Sequence, residues 1–285
     1  MSNPFQENEL KKFQEIIFKV KTCNNYNQWS KDDIQSWSLK IESQNLQKLN
    51  NEILVEILCV LDRAVELDKK YKIREIQMVS LLFLLCKNQN QGRILQILTG
   101  QGKTLTISCL AVLLCLLGNQ VDIVTSNDVL AKRDSQELKS FYSLFNLNCS
   151  HNIQIENQVN KEQIQEEKEE EEQEEIKQDE QNARKDQKRS KFEQKEDKED
   201  NFETKYRQPE EKEGTLDCYQ DNVKIVYGTA HSFQADILKH EFYKRGIRGQ
   251  RKFNMIIVDE VDSMLVDSRI TELYLHLNNQ GLARS

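Results

Sequence analysis

Six consecutive residues, Thr99, Gly100, Gln101, Gly102, Lys103 and Thr104, have the types and spacing to hold a polyphosphate. Two glycines let successive backbone N–H groups turn toward one point, and the start of a helix adds partial positive charge there. A lysine after the second glycine reaches the β- and γ-phosphates, and the threonine next to it offers its hydroxyl to Mg²⁺. The full motif has a further glycine five positions before Gly102. Ile97 stands there, so the chain carries the short G-x-G-K-T core of a P-loop. A second group, Asp259 and Glu260, follows the apolar run Met255-Ile256-Ile257-Val258. An acidic pair at the end of a buried strand complements such a loop. Asp259 would hold the Mg²⁺ shell through water, and Glu260 would orient and deprotonate an attacking water.

These groups need elements that bring them together. Ile94 to Leu98 reads as a strand leading into the loop, and Lys103 to Leu117 as a buried helix ended by Gly118. Val121–Thr125 reads as a strand, and Asp128 to Phe145 as an amphipathic helix capped by Asn127. Val223 to Tyr227 is a strand, His231 to Lys244 a helix, and Met255–Val258 a strand. This alternation predicts an α/β fold, a parallel sheet covered by helices, with the strand carboxyl ends lining the ligand crevice. Before it lies a helical preface. Ser30 and Asp33 form a helix-start signature, and Ile53, Leu54, Ile57, Leu58, Leu61 and Ala64 recur at helical spacing. Packing support for the sheet is the expected role of these helices.

Charge divides the chain in two. The 285 residues carry a net charge of −7, and the stretch from Glu156 to Glu213 alone holds 22 acidic and 13 basic residues. The remainder is nearly neutral, which argues against extensive nucleic-acid binding by charge. Residues 154–214 have too few apolar side chains to offset their ordering entropy, so a disordered or helical charged insertion is expected there. None of the seven cysteines lies in a C-x-x-C pair or at zinc spacing. Cys59, Cys86, Cys109 and Cys115 fall in apolar runs and read as core residues in a reducing compartment. The polar N-terminus has no signal-peptide core, and the longest apolar run, Leu105 to Leu117, is too short to span a bilayer. A soluble cytoplasmic or organellar chain is expected, not a secreted one, with peripheral membrane contact allowed.

Four blocks in order resemble the first nucleotide-binding lobe of SecA-type preprotein translocase motors, relatives of DEAD-box helicases. They are Gln77 with Leu98 to Leu105; Ile123-Val124-Thr125-Ser126-Asn127-Asp128-Val129-Leu130-Ala131-Lys132-Arg133-Asp134; Tyr227-Gly228-Thr229 with Asp236-Ile237-Leu238; and Val258 to Asp267. The resemblance covers roughly residues 52 to 269 without the charged insertion, and the family tolerates a non-glycine where Ile97 stands. It implies a RecA/DEAD-like P-loop NTPase lobe using ATP and Mg²⁺. Gln77 would read adenine, residues 99 to 104 would wrap the phosphates, Thr104 and Asp259 would hold the metal, and Glu260 would be the catalytic base with Lys103 on the phosphates. The Asn127-Asp128 block would cap its helix and couple the lobe to its substrate. Lys239 and His240 stand where the family has Arg-Asp, and after Asp267 one residue of the family's pattern is missing.

The implied organisation is a helical region over 1–70, a first lobe part over 71–153, the insertion over 154–214 and a second lobe part over 215–285. The implied partners are an unfolded preprotein, a membrane translocation channel and a chain supplying the second lobe with its arginine finger. Lack of that finger costs about 10³–10⁵ in rate, so ATP binding with feeble hydrolysis is expected of this chain alone. Two other readings share the motifs: a non-hydrolysing nucleotide-binding interaction module, and a DEAD-like nucleic-acid helicase lobe. A sheet that stops short should also expose an unpaired edge or an apolar patch.

Overall fold

A computed structural model describes residues 7–43, 50–85, 92–153 and 215–262. The charged stretch 154–214, Cys86 and the Ser263 to Asp267 end of the fourth block lie outside the described residues.

Four helices come first: α1 (Glu7–Thr22), α2 (Lys31–Ser43), α3 (Asn51–Lys69) and α4 (Glu75–Leu85). The start of α2 follows from a reciprocal cap. Ser30 N–H donates to Asp33 Oδ2 at 2.8 Å, and Asp33 N–H donates back to Ser30 Oγ at 3.3 Å. Asn50 caps α3 through the Ile53 N–H. Helix α5 (Lys103–Leu116) then leads to strand β1 (Val121–Thr125), α6 (Asp128–Glu137), α7 (Lys139–Ser143) and β2 (Asn148–His151). After residue 214 come β3 (Val223–Thr229), α8 (Ala230–Ile237) with a wide turn over Leu238–Phe242, and β4 (Met255–Val258).

The described strands form one parallel sheet in the order β2-β3-β1-β4. Val124 of β1 stands level with Gly228 of β3 and Val258 of β4, so the three carboxyl ends finish side by side. Alternate residues serve opposite faces. Ile123 and Ile225 enter a core shared with Phe13, Ile57, Met78 and Leu113, so α1–α5 and one sheet face bury a common apolar mass. Val124 and Val226 face the other way, onto Tyr219 and Phe233. The preface helices therefore pack against the element that begins at Lys103. Cys59, Cys109 and Cys115 are core residues, and burial pushes the Cys59 and Cys115 thiols up to about 12.

Four elements differ from the sequence reading; one is the helix expected over His231 to Lys244, whose α-helical part ends at Ile237 before the wide turn. Among the described residues, 94 to 98 pair with no strand; Ile94 and Leu98 are exposed. Apolar composition alone does not make a strand, which exists by pairing. Strand β2 is polar, Asn148 to His151, and gave no alternation to read. The helix expected over 128 to 145 is divided at Leu138, whose φ −95°, ψ −1° lies at the margin of the helical region. Among the described residues β4 stands at one end of the sheet, with Met255, Ile256 and Val258 exposed.

Candidate functional site

The loop before α5 is shaped from its carbonyl side. Gln77 is the third residue of α4, and its Oε1 accepts the Arg74 N–H at 2.9 Å. That is the reach-back half of a capping box, and it fixes the side-chain amide in place. The Gln77 Nε2 then donates to the Gln101 carbonyl at 3.1 Å and the Gly102 carbonyl at 3.3 Å. Thr106 adds its N–H and hydroxyl to the same Gly102 carbonyl. In a trans peptide the carbonyl and the next N–H point opposite ways. Holding the Gln101 and Gly102 carbonyls against α4 therefore turns the Gly102 and Lys103 N–H groups outward, where an anion would sit.

Both glycines are required by backbone conformation. Gly100 lies at φ 78° and Gly102 at φ 79°, in the region that penalises L side chains. At Gly102 there is a second reason: a Cβ would collide with the buried Gln77 amide nitrogen. Gln101 N–H closes the turn onto the Leu98 carbonyl at 3.1 Å. Thr99 and Thr104 are exposed at the loop ends.

The acidic pair arrives on β4. Asp259 N–H extends the ladder to the Val124 carbonyl at 2.8 Å, which fixes its backbone beside β1. Glu260 then takes φ 59°, a left-handed conformation that glutamate rarely adopts and that costs on the order of 1 kcal/mol. Both carboxylates meet the Lys103 ammonium, Asp259 Oδ1 at 2.9 Å and Glu260 Oε1 at 3.7 Å. Burial alone would lower the Lys103 pKa, but the carboxylate of Asp259, with Glu260 and Asp262, outweighs it and holds the ammonium above its usual value. Lys103 and Glu260 keep 38% and 40% side-chain exposure, so the site opens to solvent.

The residues fit a Mg²⁺ nucleotide on one observation in particular. Asp259 Oδ1 is buried, and its contact with Lys103 lacks hydrogen-bond alignment, so the oxygen keeps lone pairs to give. Among the described residues no group of three His, Cys, Asp or Glu gathers as a metal cluster. A site of one or two carboxylates suits Mg²⁺ that carries its remaining ligands as phosphate oxygens and waters.

Gln77 is brought to the loop rather than to open space. It is 3% exposed, with both ends of its amide engaged. Asn127 caps α6 through the Leu130 N–H at 2.9 Å. His240 accepts the Arg248 N–H at 3.2 Å, a loop contact away from the Lys103 pair's partners.

Sequence reasoning missed a buried polar knot behind β3. Asn152 donates to Asp236 Oδ2 at 2.9 Å and to the Tyr219 hydroxyl at 3.1 Å, while Ser232 donates to Asn152 Oδ1 at 2.9 Å. Gly228 allows this approach, since a Cβ there would collide with Asn152. Burial raises the Asp236 pKa despite bonds from Tyr219 and Asn152. A glycine ending a strand, followed by Thr-x-x-Ser, was the available signal. Arg74 was missed as well: its guanidinium lies on the loop, and nothing in its local sequence announces that.

The model of the SecA DEAD-like domain matches residues 1–283. The chain belongs to the SecA DEAD-like family. It is 28% identical over 279 residues to the protein translocase subunit SecA of Clostridium botulinum (strain Eklund 17B / Type B), covering 95% of this chain and 26% of that one. The Campylobacter jejuni (serotype O:2) protein of the same name is 23% identical over 273 residues, covering 94% and 25%. That of Gracilaria tenuistipitata var. liui is 30% identical over 149 residues, covering 52% and 16%. The chain thus spans about a quarter of the length of the two bacterial family members. No helix among the described residues is long and apolar enough to cross a membrane.

Proposed function

We propose that this chain is the nucleotide-binding lobe of a SecA-like motor, which couples Mg-ATP binding and hydrolysis to protein translocation across a membrane. The observation that carries the reading is the meeting of Lys103 with Asp259 and Glu260 beside a loop whose carbonyls are tied back. When bound, Mg²⁺ would neutralise charge on the β- and γ-phosphates. Lys103 and the Gly102 and Lys103 amides would hold the phosphates, with Thr99 to Gln101 closing the loop around them. Thr104 and Asp259 would serve the metal shell. Glu260 would take a proton from the attacking water. Gln77, to which the resemblance assigns adenine, has its amide engaged with the Arg74 N–H and the loop carbonyls, and would serve the nucleotide by shaping the loop. An unfolded preprotein and a membrane channel are the proposed partners, with the chain at a cytoplasmic or organellar membrane face.

The test is titration of the purified chain with a fluorescent ATP analogue and Mg²⁺, followed by turnover. Lys103→Ala should abolish binding, and Glu260→Gln should keep binding while stopping hydrolysis. Equal affinity in wild type and Lys103→Ala would remove the basis of the assignment.

A further inference from the structure

We propose that Arg74 is a positioning residue of the phosphate loop, bracing its outer rim at Gly100 and Gln101; this rests on the nucleotide-binding reading given above. One guanidinium nitrogen, Nη2, donates to the Gly100 carbonyl at 3.3 Å. The other, Nη1, reaches the Gln101 side-chain oxygen at 3.5 Å. Gln77 grips the next two carbonyls, of Gln101 and Gly102. Together the two residues hold three successive carbonyls of the loop from the α4 side.

The root of the Arg74 side chain is rigid. Its N–H is bound by Gln77 Oε1, and its carbonyl accepts the first helical bonds, from Gln77 N–H at 3.0 Å and Met78 N–H at 3.1 Å. Arg74 is an exposed residue whose side chain reaches over to the loop. The rim it touches has little packing to hold it: a Cβ added at Gly100 would meet no atom within 4 Å. Gly100 is also in the left-handed region, where glycine is the most mobile of residues. A rigid, planar fork is suited to pin two acceptors on successive residues in fixed directions; a lysine ammonium has three donors on one nitrogen at the end of a flexible stem, without that preset geometry. By limiting the rim's freedom before a ligand arrives, Arg74 reduces the ordering cost of binding.

The role is distinguishable from base recognition because the loop serves the phosphates alone. The experiment measures binding of Mg-ATP, Mg-GTP and inorganic tripolyphosphate to the wild-type chain, Arg74→Ala and Arg74→Lys, alongside amide hydrogen exchange of residues 99–102 and melting without ligand. Arg74→Ala should weaken all three ligands by the same factor, about fivefold. It should also speed exchange in the loop and leave the ligand-free melting temperature unchanged. Arg74→Lys should recover part of the affinity. Unchanged affinity in Arg74→Ala overturns the proposal while leaving the nucleotide site standing. So does a loss confined to ATP, which would put the guanidinium on the base, or full recovery by lysine, which would assign the effect to charge. A wild-type chain that binds neither ATP nor tripolyphosphate overturns the nucleotide reading and this one with it.

Discussion

Replacing Gly102 by alanine should disable the loop through Gln77, and the structure allows the size of the effect to be worked out. Two penalties add. An L side chain at φ 79° costs about 1–2 kcal/mol. The new Cβ must also drive the Gln77 amide out of its place, because the amide nitrogen stands where the methyl would go. Gln77 is buried, so its displacement leaves the Gln101 carbonyl without that donor, at about 1–3 kcal/mol. The Gly102 carbonyl suffers less, since Thr106 also serves it. The total is about 2–5 kcal/mol, or a fall in melting temperature of about 5–15 °C for a domain of this size. Gly100→Ala is the control. Its φ is nearly the same, yet a Cβ there meets nothing, so it should cost the conformational penalty alone. Removing the obstacle should make the effects non-additive: in Gln77→Ala/Gly102→Ala the alanine at 102 has room, and the pair should couple by about 1–3 kcal/mol. Thermal and urea unfolding of the four variants, with ATP-analogue binding on each, decides the matter. Equal losses for Gly100→Ala and Gly102→Ala, or an additive cycle, would refute the claim that Gln77 is the strut of the loop.

Two further outcomes follow from groups away from the loop. Asp122 is the carboxylate shared by Arg248 and Arg251, at 3.2 and 2.8 Å, and both guanidinium groups are buried; Asp122→Ala should cost about 3–5 kcal/mol in urea unfolding and Asp122→Asn less, and a neutral result for both would remove the triad from the stability argument. His151 has its pKa lowered by burial and then by Lys132, so the native state binds its proton less readily than the unfolded chain. Its contribution is present above the ordinary histidine value and is lost as pH falls through the lowered one. His151→Gln should flatten the loss of stability on acidification below about pH 6.5, and an unchanged slope would count against it.

What the sequence shows best is what local chemistry settles. Val121–Thr125 is a largely β-branched run interrupted by Asp122, Met255–Val258 is a continuous apolar one, and the observed strands have the bounds read from them. Asn127 caps α6 because an Asn before a helical run has few competing uses. The failures share a cause: they depend on partners remote in sequence. Ile94 to Leu98 is as apolar as β1, yet lacks a ladder among the described residues. Strand β2 is polar and owes its form to pairing with β3. Within the site, the meeting of Lys103 with Asp259 could be expected from the two motifs. The left-handed backbone of Glu260 could not, since glutamate is a poor turn residue. Gln77 was legible as a site residue for a reason only partly its own. Its place at the third position of α4 would reveal the capping bond, but arginine at the cap position disguises the helix start.

The ion pair at the centre of the site also bears on how a nucleotide could enter. With no ligand, Lys103 is neutralised by Asp259, and Glu260 adds a second, longer contact. In the proposed reading Lys103 would turn to phosphate oxygens and Asp259 to the metal shell. Each charge then exchanges one opposite charge for another, and neither is left uncompensated. Solvent eases the exchange on the lysine side, since the Lys103 side chain is 38% exposed, while Asp259 at 16% is the more enclosed partner. Lys103→Ala therefore loses a phosphate contact and also leaves Asp259, 16% exposed, without its counter-ion. In the proposed reading Asp259→Asn would lose the carboxylate meant for the metal but free the ammonium. The two substitutions should separate on base-free ligands without Mg²⁺: tripolyphosphate should still bind Asp259→Asn and should not bind Lys103→Ala. Equal retention by both would mean that the ammonium is held for the carboxylate's sake, as a structural pair, and that the loop's anion site lies elsewhere.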